Sequence, residues 1–366
     1  MIWPTFLALM FNFTYGFLLP LIPRFGVESA GVAFSMFALV KLALTVPSGH
    51  LTDRLGAWRA TGFALVVQAL ALGSIAFIPS QAWIGRGLQG FALALGQVAV
   101  ISLCRTSSTN LVEFERLVAR VIGIGSLGYV AGPALGFALA KASPQNAVFG
   151  AAVFTTLIAG IHFLVGAVKK PARESESAPS HATAPVSWQV ALTFMIALGC
   201  TKALIVGMEP VFAWWASDVF EFPPLVAGLT FVVLSVAFAV ATWKPHLRTA
   251  LACASGLVLI EISLRGMTNL WWLGIGAMGY WAGVSVTTSV AKLGWNKPET
   301  IGRTNSRWLL ITDFPMSVMP VVAWSFREPS DVHFRGPIEA VLLLTACVCL
   351  SRGVRAAAAQ TGTRSS

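Results

Sequence analysis

The chain has 366 residues, 56% of them hydrophobic and 11% charged, with a mean hydropathy of +0.75. A soluble domain carries about 25% charged residues, so this composition excludes a soluble globular protein and leaves little chain for any soluble domain. The net charge of +10 would suggest a nucleic-acid partner in a soluble protein. In a chain this apolar it orients loops against a bilayer instead, and no nucleic-acid partner is expected.

A membrane-spanning helix needs about 20 apolar residues. The chain offers twelve such stretches: 3–22, 29–50, 60–79, 81–103, 119–140, 146–167, 188–212, 225–243, 248–266, 270–291, 308–325 and 336–351. Residues 1–22 lack a basic leader and a small-residue cleavage site, so they read as a retained first span. The five cysteines (Cys104, Cys200, Cys253, Cys347 and Cys349) lie in or beside apolar stretches. Their spacing resembles no metal site, and free thiols are expected.

With both ends on the cytoplasmic side, seventeen Lys and Arg residues fall in inner loops and five in outer ones. That asymmetry fits a multi-pass protein with an even number of spans. Residues 168–187 mix Pro, Ser, Ala and charge, cannot bury a core, and read as a flexible linker. The predicted organisation is a six-helix bundle over 1–167, a cytoplasmic linker over 168–187, and a second six-helix bundle with a short tail over 188–366.

Between spans 2 and 3 the chain reads S-G-H-L-T-D-R-L-G-A-W-R-A from Ser48 to Ala60. Gly49 allows close helix approach, Asp53 and Arg54 mark the water boundary, and Gly56 suits a tight turn. The pattern G-x-L-x-D-R-x-G over Gly49, Asp53, Arg54 and Gly56 resembles the helix 2–3 loop of the major facilitator superfamily of secondary transporters. The resemblance implies an all-α integral membrane fold of twelve helices in two six-helix bundles, with a gating role for this loop. It also implies a bacterial inner-membrane transporter, monomeric, working without a cofactor or metal on a small molecule and protons. The equivalent loop of the second half, Trp243 to Arg248, has neither acid nor glycine and departs from the pattern.

In span 4, Arg86, Gln89, Gly90, Leu93 and Gln97 fall on one helical face. R-x-x-Q-G resembles the family's second motif, whose arginine faces the central cavity. The alternative is an arginine snorkelling to the outer surface. In span 5, Gly128, Gly132, Pro133 and Gly136 place small residues at fourfold spacing, which lets helices pack closely. This stretch resembles the motif of the antiporter branch, and so implies export. Two look-alikes fail on context. Gly123-Ile-Gly125-Ser-Leu-Gly128 matches a dinucleotide fingerprint but follows no strand, and Asn12-Phe-Thr14 matches a glycosylation acceptor but lies inside span 1.

Ionisable groups at membrane depth are functional candidates by default. Lys41 is near the middle of span 2, Lys202 near the middle of span 7 with Glu209 two turns on, Asp313 in span 11, and Glu261 toward the end of span 9. For each the alternative is an ion pair that locks helices together. Asn12 and Tyr15 share a face of span 1, and Tyr280 sits in a polar, aromatic stretch of span 10. The first half has no carboxylate at membrane depth. Proton binding by a buried carboxylate therefore falls to Asp313, Glu209 or Glu261, with Asp313 and Glu209 preferred, and deprotonation of a buried lysine is the other possibility. Asn12, Tyr15, Lys41, Arg86, Gln89, Gln97, Lys202 and Tyr280 are candidate substrate contacts. The cations outnumber the facing acids, which favours an anionic or zwitterionic substrate. The histidines are scattered and no nucleophile–base or metal spacing appears, so no enzyme activity is expected. Import of an organic anion and a non-transporting receptor are the alternatives to export.

Overall fold

The computed structural model describes residues 2–140, 143–168 and 300–325, with isolated residues between 189 and 203 and between 338 and 352. The described residues form helices and connecting turns, with no strand among them. The helices are α1 (Ile2–Leu18), α2 (Val27–Leu55), α3 (Ala57–Phe77), α4 (Ala82–Thr106), α5 (Leu111–Ser126), α6 (Gly128–Ala140), α7 (Pro144–Val168) and α8 (Ile301–Ser325). Lys202, Glu209, Glu261 and Tyr280 lie outside the described residues.

Local chemistry sets the boundaries. Gly26 (φ 145°) and Gly56 (φ 79°) bracket α2 in backbone conformations that side chains rarely adopt. α2 therefore runs on past the expected end at 50 to Leu55, and the Gly56 N–H closes it on the Thr52 carbonyl at 2.9 Å. At the start of α5 the Asn110 side chain accepts from the Glu113 N–H at 2.9 Å, while Glu113 Oε2 accepts from the Thr109 N–H and hydroxyl, each at 2.7 Å. This is a reciprocal cap. The Thr109 donors hold the exposed Glu113 carboxyl below the usual carboxylate range. The stretch expected as one span over 119–140 is two helices. The Leu127 N–H tightens onto the Ile124 carbonyl at 3.0 Å, where glycines on both sides lower helix propensity.

Glycines decide how the helices meet. A Cβ at Gly128, Gly132 or Gly136 would strike α1 backbone at Leu9, Phe13 or Phe17. These three residues bring α6 against α1 backbone to backbone. Gly90 does the same for α4 on α2, at Phe37 and Lys41. Four of the described helices are long and apolar enough to cross a membrane, within Ala30–Leu55, Ala57–Phe77, Pro79–Thr106 and Pro144–Gly166. Large apolar side chains such as Leu70, Phe77, Leu157 and Leu164 stay exposed on α3 and α7, as a lipid-facing surface requires.

Candidate functional site

α8 lies antiparallel along α2, and three levels of contact define the interface. At one end Gly49 faces the Gly302 carbonyl and the Ser306 hydroxyl so closely that a Cβ on either glycine would collide across the interface. That approach lets Asp53 reach the first turn of α8. Asp53 Oδ1 accepts from the Gly302 N–H at 2.8 Å, and Oδ2 accepts from the Arg303 N–H at 3.2 Å and Arg303 Nε at 3.1 Å. A carboxylate on the unsatisfied N–H groups of a helix start complements the positive end of the helix dipole. It also explains why α8 begins at Ile301, seven residues before the apolar run at 308. Arg54 is exposed and Gly56 shapes the turn.

At the opposite end the interface is aromatic. Gly31 sits against the Trp324 indole, and the Phe34 and Trp324 rings stand 5.4 Å apart.

Between these ends lies the charge layer. Lys41 is the middle residue of α2 and Asp313 the middle residue of α8. Lys41 Nζ stands 2.8 Å from Asp313 Oδ2, with both side chains buried. The Thr312 hydroxyl reaches Asp313 Oδ1 at 3.3 Å. Two ionisable groups taken separately from sequence, one as an anion contact and one as a proton site, are thus one ion pair. Such a pair repays its desolvation only through close geometry, and leaves a costly bare charge when it opens.

One helical turn toward the aromatic end, α4 presents Arg86 beside α2. Arg86 is fully buried and does not snorkel. Its guanidinium lies over Phe37 (4.4 Å to the ring centroid), Tyr15 (5.3 Å) and Phe34 (5.5 Å), a set of cation–π contacts strengthened by burial. Arg86 Nη1 donates to Gln89 Oε1. Gln89 Nε2 donates in turn to the Thr14 carbonyl at 3.2 Å, and Gln68 Nε2 donates to the Thr14 hydroxyl at 3.0 Å. Arg86 Nε and Nη2 have no hydrogen-bond partner among the described residues.

The remaining candidates separate. Tyr15 joins the Arg86 layer, its ring 4.8 Å from Phe37. Asn12 does not join it. Its Nδ2 donates to the Gly125 carbonyl at 3.0 Å and ties α1 to α5. Gln97, two turns below Gln89 on α4, is half-buried. Gly128, Gly132 and Gly136 lie in the α1–α6 contact, and Pro133 is a buried residue of α6. Thr14, Gln68, Phe34 and Phe37 are site residues that sequence reasoning passed over.

A second polar cluster stands apart. His162 on α7 accepts at Nδ1 from Trp3 Nε1 at 3.0 Å and meets the Trp58 carbonyl through Nε2 at 2.9 Å, with the Trp58 ring stacked on it at 4.1 Å. Trp3 as donor fixes the neutral Nε2–H form of the ring.

Long apolar helices around an ion pair buried at mid-length are the build of a membrane transport protein. The family model of the Major Facilitator Superfamily matches residues 4–320, and the chain belongs to that family. Its fold is all-helical and of that type. The human organic anion transporter MFSD10 (TETRAN) is similar in structure at 16% identity, over 96% of this chain and 97% of that one, with a TM-score of 0.65. A bacterial homologue of the iron transporter ferroportin in its outward-facing state is similar too. With soaked iron it shows 16% identity, coverage of 96% and 98%, and a TM-score of 0.63. Without soaked iron the identity is 14%, with the same coverage and a TM-score of 0.65. At these identities the likeness shows the fold. A search of curated protein sequences finds no match.

Proposed function

We propose that the chain is a proton-coupled secondary transporter of a small organic anion, working by alternating access in a bacterial inner membrane, with the Lys41–Asp313 pair as its coupling element. The observation that carries this reading is the 2.8 Å ion pair at mid-length of two helices far apart in the chain. α2 belongs to the proposed first bundle (1–167) and α8 to the second (188–366), joined by the 168–187 linker, in a monomer with both termini cytoplasmic. The pair then spans the two bodies that must part. Protonating Asp313 removes its charge and loosens the pair, so one proton biases the equilibrium between two arrangements. Asp53 on the first turn of α8 serves as the cytoplasmic latch of the same interface, with Gly49, Arg54 and Gly56 shaping the loop that carries it.

An anion is favoured because the described helices bury two cations, Lys41 and Arg86, against one carboxylate, Asp313. A protein of similar fold is described as an organic anion transporter. Export rests on the resemblance of the Gly128–Gly136 stretch to the antiporter motif. Import of an anion is the second reading, since those glycines bring α6 onto α1 in a way either direction needs.

Proteoliposomes test the coupling. Asp313→Asn holds the side chain in its neutral form. Transport driven by a pH gradient should be abolished while substrate exchange continues. Gradient-driven transport at the wild-type rate in this variant moves the proton site elsewhere, and Glu209 is the next candidate.

A further inference from the structure

We infer that the Nε/Nη2 edge of Arg86 is a binding subsite for the carboxylate of a monovalent organic acid. The inference rests on the anion-transport reading and adds to it the class of substrate and the atoms that hold it. The guanidinium is fixed on three sides. Phe37, Tyr15 and Phe34 surround it, and Gln89 occupies Nη1. The remaining edge, Nε with Nη2, is fully buried and has no hydrogen-bond partner among the described residues. That edge presents two parallel N–H donors, the arrangement that a carboxylate accepts with both oxygens.

The charge count selects the valence. At the middle of the described helices the charged groups are Lys41 on α2, Arg86 on α4 and Asp313 on α8, with the Tyr15 hydroxyl from α1 beside them. Lys41 and Asp313 offset each other at 2.8 Å, so among the described residues Arg86 carries the surplus charge of this layer. A single carboxylate on its unpartnered edge brings these described groups to neutrality without disturbing the pair, in surroundings where unbalanced charge is costly. A dianion would overshoot. A neutral amide would bring N–H groups to an edge that already donates. Aromatic side chains around the guanidinium exclude water and so strengthen a charge-assisted bond.

The test uses the full-length protein in lipid nanodiscs and calorimetric titration with acetate, pyruvate and benzoate, each beside its own amide. At least one acid should bind and its amide should not, and sulfate should bind no better than that acid. Arg86→Lys keeps the charge but loses the fork, and should weaken binding at least about tenfold. Gln89→Glu places a carboxylate on the guanidinium itself with little change of shape, and should do the same if Arg86→Lys does not fold. Failure of all three acids to bind, equal binding of acid and amide, tighter binding of sulfate, or wild-type affinity in the folded variants would overturn the subsite. Asp313→Asn separates this from the coupling reading. It removes a negative charge beside Lys41, so acid binding should be retained or tightened while gradient-driven transport is lost. Retained binding with retained gradient-driven transport breaks the coupling reading and leaves the subsite standing.

Discussion

Lys41 and Arg86 are both buried cations on adjacent helices, about one turn apart in level, yet the fold answers their charge by opposite means. Lys41 is met by the Asp313 carboxylate on α8, across 272 positions of sequence. Arg86 is met by aromatic faces from α1 and α2 and by Gln89 on its own helix, all within the first 168 residues. The Lys41 arrangement includes an ion pair between segments that the proposed mechanism separates. The Arg86 contacts with Tyr15, Phe34, Phe37 and Gln89 stay within the proposed first bundle. A charge paired across that boundary suits a switch, and a charge held by near neighbours on its own side suits a fixed receptor. The proposed Asp53 latch belongs with Lys41 in this respect, since the three bonds its carboxylate accepts also come from α8.

Removing one partner of the pair should have the largest effect. Asp313→Leu leaves Lys41 uncompensated and should destabilise the protein by about 3–5 kcal/mol, read as a fall in thermal unfolding temperature. The double variant Lys41→Met/Asp313→Leu should recover most of that loss. If the single and double variants are equally unstable, the pair is not what Lys41 depends on, and the contrast with Arg86 fails.

Opening the latch comes next. Asp53→Asn replaces charge-assisted bonds worth about 1.5–3 kcal/mol each with weaker ones. The population with α2 and α8 apart should rise roughly tenfold or more, measured by spin-label distances between the Gly49 end of α2 and the Gly302 end of α8. Thermal stability of the first bundle should be unchanged. An unaltered distance distribution would remove Asp53 from the switch.

Phe37→Leu sharpens the other side of the comparison. It removes the nearest ring over Arg86 and should cost about 1–2 kcal/mol through the lost cation–π contact and packing. It should leave the α2–α8 distance distribution as in the wild type. A shift in that distribution would mean that Arg86 too takes part in the switch.

The smallest effect is expected far from both cations. Asn110→Ala removes the cap of α5 and should cost about 1 kcal/mol, with no effect on substrate exchange. Glu113 contributes to the same cap, and its folded pKa lies below the usual value. Its contribution is therefore present above the ordinary carboxylate pKa and fades as pH falls through the folded value. Opposite behaviour in a pH series of thermal scans on Glu113→Gln would contradict the cap.

The sequence by itself determined the membrane class, the family, the depth of Lys41 and Asp313 and the glycine positions. Hydropathy, helical periodicity and motif order are local properties, and each is written in residues close together along the chain. The tertiary structure alone decided which groups meet. Lys41 and Asp313 look alike as isolated charges in two apolar runs, and only antiparallel packing of α2 on α8 makes them a pair. Asn12 and Tyr15 share one helical face by periodicity, yet the bonds they form send Asn12 to the Gly125 carbonyl and Tyr15 to Arg86. Phe34 and Phe37 gave no signal at all, because one apolar aromatic in a membrane span reads like any other until a guanidinium lies over it. Hydrogen bonds and ion pairs act over about 3 Å, so the partner of a buried polar group is set by which backbones approach. Here the glycines at 49, 90 and 302 permit that approach.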